Sequence, residues 1–334
     1  TTPSNRLRRA YWWFRYRQND PNVANDAYVE FLKQPLPGYY LYLAKVLRYE
    51  EMALPGEAPA NPAFLMHEWS VPKDCHLALQ MAEERLHAGL LKDASIYILD
   101  AVDELMGNPR KYRLALLYAA SLFRAAGSHL QAMKIFAVLR SVADWDMQAS
   151  ENLNAEYARE FPQPFLPAVN WLCRQWNVDP AFVYAIMRQE SAFDPAAVSS
   201  SNARGLMQLM PQLAQFLSRQ WGSQNQVTNR MLFTAYENLQ LSIYHLHQLS
   251  ELAPHPALVA AAYNAGINRT ANWWRKFERY PLDVFVEMIP VTETRNYVKL
   301  VLRNYLYYRA MRNGGKLRSD EFSLILPRYT AVGR

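Results

Sequence analysis

No stretch of this chain alternates apolar and polar residues for long enough to make a half-buried strand. Its periodic segments repeat instead at helical spacing and are dominated by Ala, Leu, Met, Gln, Glu and Arg, the residues that lose least on entering a helix. Glycine is scarce, with 11 in 334 residues, and 51% of the chain is apolar. That is enough to fill substantial cores in two or three domains. The fold class predicted is all-α.

The formal net charge of +6 predicts attraction to polyanions: nucleic acid, anionic lipid or an acidic envelope polymer. Apart from a cluster of Arg6, Arg8 and Arg9 with Arg15 and Arg17, the basic residues are scattered among acids, as on solvated helix faces. No helix-turn-helix or zinc-finger spacing accompanies the charge, so no nucleic-acid partner is predicted. Cys75 and Cys173 are too few for a disulfide framework and lack metal-ligand spacing. They are expected to be buried thiols, with a bridge between them left open. His245 and His247, two apart, do not share a helix face, and no metal site is predicted. No apolar run approaches the roughly 18 residues of a membrane span. The first residues, TTPSNRLRR, lack the hydrophobic centre of an export signal.

Texture divides the chain. The first 160 residues are short amphipathic segments joined by turn-rich stretches such as QNDPNVAND, KQPLPG and ALPGEAPANP. Within them Ala82, Gly89 and Ala94 recur as Ala120, Gly127 and Ala132, with Tyr97 and Ile98 answered by Ile135 and Phe136. Small residues where helices cross, and a glycine ending the first helix, mark an α-hairpin repeat of the solenoid kind. Prolines at 162, 164 and 167 then make the clearest boundary, because a helix cannot continue through them.

After that boundary, Asp179 and Pro180 start a helix as N-cap and first helical residue. The run DPAFVYAIMRQES places Val183, Ile186, Met187 and Glu190 on one face, so the Glu190 carboxyl stands beside an apolar stripe at the helix end. Desolvation and the negative end of the helix dipole both oppose its ionisation. A carboxyl that keeps its proton near neutral pH is what a general acid needs. Asp194, followed by Pro195, reads as turn chemistry rather than as a second catalytic carboxylate. Tyr297, Tyr305 and Tyr308 share helical spacing and read as core.

Four blocks follow one another over about 120 residues: the helix ending in Glu190 and Ser191, GLMQLMP at 205–211, AAAYNAG at 260–266 and PVTETRNYVK at 290–299. In this order and spacing they resemble the soluble lytic transglycosylases of bacterial cell-wall turnover, over residues 160 to about 312. The resemblance implies the C-terminal part of an α-superhelical, solenoid-like domain (1–75), a helical linker domain (76–158) and a goose-type lysozyme-like catalytic domain (160–334). It implies a murein lyase that breaks the MurNAc–GlcNAc bond of peptidoglycan and leaves 1,6-anhydro ends. Glu190 would serve as acid and then base, with the N-acetyl group of the substrate assisting.

The same resemblance makes Ser199, Gln208, Met210, Tyr263, Asn264 and Glu293 substrate-binding residues. Gln208 and Met210 would lie on a short helix, and the Tyr263 hydroxyl would reach toward Glu190. It implies no cofactor, glycan strands as the partner with other cell-wall enzymes left open, and a periplasmic location for a chain whose export signal has been removed. Asn202, Ser242 and the Ile267–Asn268 pair depart from the family pattern, which has glycine or Pro-Gly there. Two other functions remain: a goose-type lysozyme-like hydrolase in which water attacks, and a non-catalytic adaptor or glycan-binding protein built on the helical repeats.

Overall fold

The structure, a computed structural model, describes residues 3–18, 24–32, 39–48, 52–53, 71–142, 160–222, 226–313, 316–317 and 323–329. The turn-rich stretches 18–26, 33–38 and 53–62 and the boundary near residue 158 lie wholly or largely outside them. Among the described residues the fold is all-α. The one strand pairing is two residues long, Met52–Ala53 (β1) antiparallel to Lys316–Leu317 (β2).

The N-terminal helices are α1 (Pro3–Arg17), α2 (Ala24–Leu32) and α3 (Tyr39–Leu47). Two hairpins follow, α4 (Lys73–His87) with α5 (Leu91–Leu105), and α6 (Arg113–Ala125) with α7 (His129–Val142). They are the repeat seen in the sequence. Gly89 and Gly127 take left-handed φ values of 75° and 77°, and each is followed by an amide that returns to the preceding helix, Leu90 N to Arg85 O and Ser128 N to Phe123 O. That is the glycine-terminated helix end the spacing predicted. The repeated alanines 82, 94, 120 and 132 are buried where the helices cross.

The remaining helices are α8 (Leu166–Trp176), α9 (Pro180–Glu190), α10 (Pro211–Gln220), α11 (Asn229–Phe233), α12 (Ala235–Leu252), α13 (Pro256–Ala265), α14 (Ile267–Phe277), α15 (Leu282–Met288) and α16 (Thr292–Arg312). Helix α9 packs most intimately on α16. The two are pinned along their length. The Tyr305 hydroxyl donates to the N-cap Asp179 at 3.0 Å, Asn304 Nδ2 donates to Ala185 O at 3.4 Å, and Tyr184 and Tyr308 pack ring to ring.

The hairpins α4–α7 bury a core of their own, from Cys75 to Leu139. Residues of α1–α3 instead share one continuous core with α8, α9 and α12–α16. Tyr11 donates to Asp283 at 2.6 Å, where Arg15 also binds at 2.8 Å. Glu287 is held by Lys299 at 2.7 Å, by Arg8 at 2.9 Å and by the Tyr40 hydroxyl. Cys75 and Cys173 are both buried and free, one in each core. Burial pushes their thiols up to about 11 and about 12. No described helix is long and apolar enough to cross a membrane.

Candidate active site

Helix α9 starts as its sequence dictates. The Asp179 carboxylate accepts from Ala181 N at 2.9 Å, and Pro180 occupies the first helical position. From Ala181 to Met187 every side chain is buried. The helix then ends on Glu190, whose carboxyl emerges half-buried at the edge of this apolar mass.

The Tyr297 hydroxyl, from the first turns of α16, donates to Glu190 Oε1 at 2.5 Å. Burial raises the carboxyl from its ordinary 4.5 to about 7; the Tyr297 bond opposes that rise and the nearby Glu293 charge adds to it. The first cause is the one the sequence predicts, since an ion at the end of a helix buried from Ala181 to Met187 lacks the water that would stabilise it. A carboxyl half-protonated near neutrality can donate its proton and take one back.

Tyr297 is the residue that sequence reasoning missed. It is buried, as a core tyrosine would be, yet its hydroxyl serves the acid. Tyr263, expected to reach toward Glu190, donates instead to Met207 O at 2.8 Å. Its hydroxyl still lies close enough for the Glu190 charge, after burial, to hold its pKa well above 10. The two tyrosines divide the work, one on the carboxyl and one on the loop beside it.

That loop, residues 191–210, is not helical, contrary to the expectation for Gln208 and Met210. Gly205 and Gln208 have φ of 76° and 50°, and bridges join Arg204 to Val198 and to Leu209. The loop is fixed from below by Asn238. This fully buried amide receives Met207 N at 2.9 Å and donates to Arg204 O at 3.0 Å and Leu232 O at 2.9 Å. Only glycine fits at 205, because a Cβ there would stand 2.0 Å from Leu232 O and 2.4 Å from Asn238 Nδ2. Ser191 joins the loop to the acid helix by donating to Leu206 O at 2.7 Å.

The other expected residues fall as follows. Ser199 Oγ accepts from Ala203 N at 3.0 Å, and Gln208 Nε2 donates to Ala197 O and Gly205 O at 3.1 and 2.9 Å. Both side chains therefore shape the loop, and the amide donors of Gln208 face its backbone. Met210 caps α10 with its side chain 38% exposed. Asn264, one residue past Tyr263, accepts from Thr294 at 2.6 Å, next to the exposed Glu293. Asp194 accepts from Ala196 N at 2.8 Å in a local turn. Glu190, Tyr263 and Glu293 are brought together, with Asn264 tied to the same helix start. Among the described residues no group of three or more His, Cys, Asp or Glu side chains is arranged to hold a metal ion.

A carboxyl at a helix end, held near neutrality by burial and hydrogen-bonded by a tyrosine, has the chemistry that a general acid requires. Residues 169–284 match the family model described as the transglycosylase SLT domain. A Haemophilus influenzae relative whose name places it among the soluble lytic murein transglycosylases is 40% identical over 157 residues, 46% of this chain and 26% of that protein. The soluble lytic murein transglycosylase of Escherichia coli is 30% identical over 171 residues, 49% of this chain and 26% of that one.

Two solved structures share the fold. The 70 kDa soluble lytic transglycosylase of Escherichia coli aligns at TM-score 0.72 and 22% identity, over 96% of this chain and 48% of that one. The lytic transglycosylase Slt of Pseudomonas aeruginosa, solved as an inactive glutamate-to-glutamine mutant, aligns at TM-score 0.71 and 23% identity, over 97% and 49%. The chain thus spans about a quarter of the curated relatives and half of the solved ones. Glu293 and Tyr297 lie beyond the matched residues, on α16.

Proposed function

We propose that the chain is a peptidoglycan lytic transglycosylase, cleaving the β-1,4 bond between MurNAc and GlcNAc without water. The observation that carries this is the Glu190 carboxyl, held near neutrality by burial and bonded to Tyr297. Glu190 gives its proton to the glycosidic oxygen, and GlcNAc leaves with it. The amide oxygen of the MurNAc N-acetyl group attacks the anomeric carbon from the other face, as in substrate-assisted glycosidases. The Glu190 carboxylate then removes the proton from the sugar's 6-hydroxyl, whose oxygen displaces the amide oxygen and closes the 1,6-anhydro ring. Glu190 ends protonated, ready for the next bond.

In this reading Ser199, Gln208, Met210, Tyr263, Asn264 and Glu293 bind the sugars. Residues 1–75 are the end of a superhelical region, 76–158 a linker domain and 160–334 the catalytic domain. The names of the relatives support murein as substrate, and murein as substrate supports the periplasm as location.

One observation favours a second reading, hydrolysis. Glu293 stands close enough to raise the Glu190 pKa, so a second carboxylate, expected from the sequence only as a sugar-binding residue, is near the acid and could activate a water. Mass spectrometry of peptidoglycan digested by the chain separates the two. Anhydro ends that vanish in Glu190→Gln support the lyase, reducing ends the hydrolase, and intact strands refute both.

A further inference from the structure

The acid helix is gripped from a core other than its own. Helix α7 belongs to the hairpin core, yet His129 and Met133, one turn apart on the same side, meet residues on both sides of Glu190. The His129 ring packs edge-on to Phe193, with centroids 5.6 Å apart and planes at 79°. Met133 Sδ contacts Arg188 Nη1. Arg188 in turn is ion-paired with the buried Glu160 at 3.0 Å, donates to its carbonyl at 2.7 Å and lies 4.4 Å over the Phe161 ring. The hairpin helix thus meets the backbone just before the acid through Met133 and the backbone just after it through His129.

That following segment is strained. Ala192 and Phe193 have φ of 52° and 71°, a region that non-glycine residues avoid and that persists only where surroundings hold it. The Phe193 side chain is 1% exposed, and His129 is the ring that reaches it across the two cores. Relaxation there would carry away Ser191, whose bond to Leu206 O ties the acid helix to the loop.

We propose that His129 is a positioning residue: through Phe193 it holds the strained turn behind Glu190 and so keeps the acid's carboxyl against Tyr297. The inference rests on Glu190 as the general acid. The titratable groups that face Glu190 are Tyr297 and Glu293 from α16 and Tyr263 from α13. Burial, with Arg124 nearby, lowers His129 to about 4, so it is neutral at working pH. Replacing it changes no charge beside the acid, and any change in Glu190 must come through geometry.

The test uses the whole chain with His129→Ala, His129→Phe and Phe193→Leu, the last keeping apolar volume but removing the ring that His129 meets. Titration of the Glu190 carboxyl is followed by carbon-13 NMR, alongside kcat and KM on peptidoglycan. His129→Ala and Phe193→Leu are expected to lower the Glu190 pKa by about one unit as water enters. They should reduce kcat about three- to tenfold with KM little changed, while His129→Phe restores both. An unchanged Glu190 titration in His129→Ala, or a His129→Phe variant that behaves like the alanine, overturns the proposal. A parent chain that cuts no murein while the titration still responds leaves His129 in its role and removes the functional reading instead.

Discussion

Replacing Glu190 by Gln should stabilise the protein, and by an amount that depends on pH in a definite direction. Well below pH 4.5 the carboxyl is protonated whether the chain is folded or unfolded, and the two variants differ little. As pH rises past 4.5 the unfolded chain ionises, while the folded one holds its proton until about 7. Over that window the native state binds more protons, so wild-type stability falls with pH and levels off above about 7. Carrying a carboxyl from 4.5 to about 7 corresponds to about 3 kcal/mol, at about 1.4 kcal/mol per pH unit. Because the side chain is half-buried, about 2 kcal/mol is the working expectation. The glutamine lacks this loss. Urea unfolding of both variants from pH 4 to 8, followed by tryptophan fluorescence, gives the difference directly, since titrating groups that do not interact with Glu190 cancel. The stability of Glu190→Gln relative to the parent should grow by about 2 kcal/mol over the window. A difference that stays flat, or that shrinks as pH rises, refutes the claim that burial holds the proton.

Other expected outcomes follow from the same geometry. Tyr297→Phe removes the bond that opposes the rise. The alkaline limb of the pH–activity profile should move to higher pH while activity falls about 10- to 100-fold. Glu293→Gln removes the like charge, so the same limb should move to lower pH; a shift in the same direction as Tyr297→Phe would refute the assignment of both. Gly205→Ala places a Cβ 2.0 Å from Leu232 O at φ +76°. It should lower stability by about 3 kcal/mol or more and abolish activity, read by thermal unfolding and glycan digestion.

Much of the fold was legible because helix signals are local. Asp179–Pro180 and the glycines at 89 and 127 each fix a terminus from neighbouring residues, and the hairpin repeat showed in its small residues. The raised pKa of Glu190 was legible for the same reason, because the apolar face it shares lies within its own helix. The rest depended on contacts across the chain. Tyr297 meets Glu190 over a separation of 107 residues, and nothing in its helical spacing distinguishes it from Tyr305 and Tyr308. Asn238 supports the loop 31 residues before it while reading as an ordinary residue near a helix start. The loop at 205–208 resembled a short helix in composition, but the left-handed backbone at Gly205 and Gln208 turns it into a bridge-bounded bend.

The shared core of the first helices and the last ones bears on how such a chain comes off the ribosome. Tyr11 and Asp283 are 272 residues apart, and Arg8 and Glu287 are 279 apart, so helices α1–α3, which pack on one another, cannot complete their shared core until α15 and α16 emerge. At about 5–20 residues per second that wait is roughly 15 to 55 seconds. The two hairpins, with short-range contacts and a core of their own, can assemble in the interval. Helices α1–α3 therefore wait longer for their distant partners than the hairpins do for theirs, and sticking between nascent chains should concentrate on that waiting face.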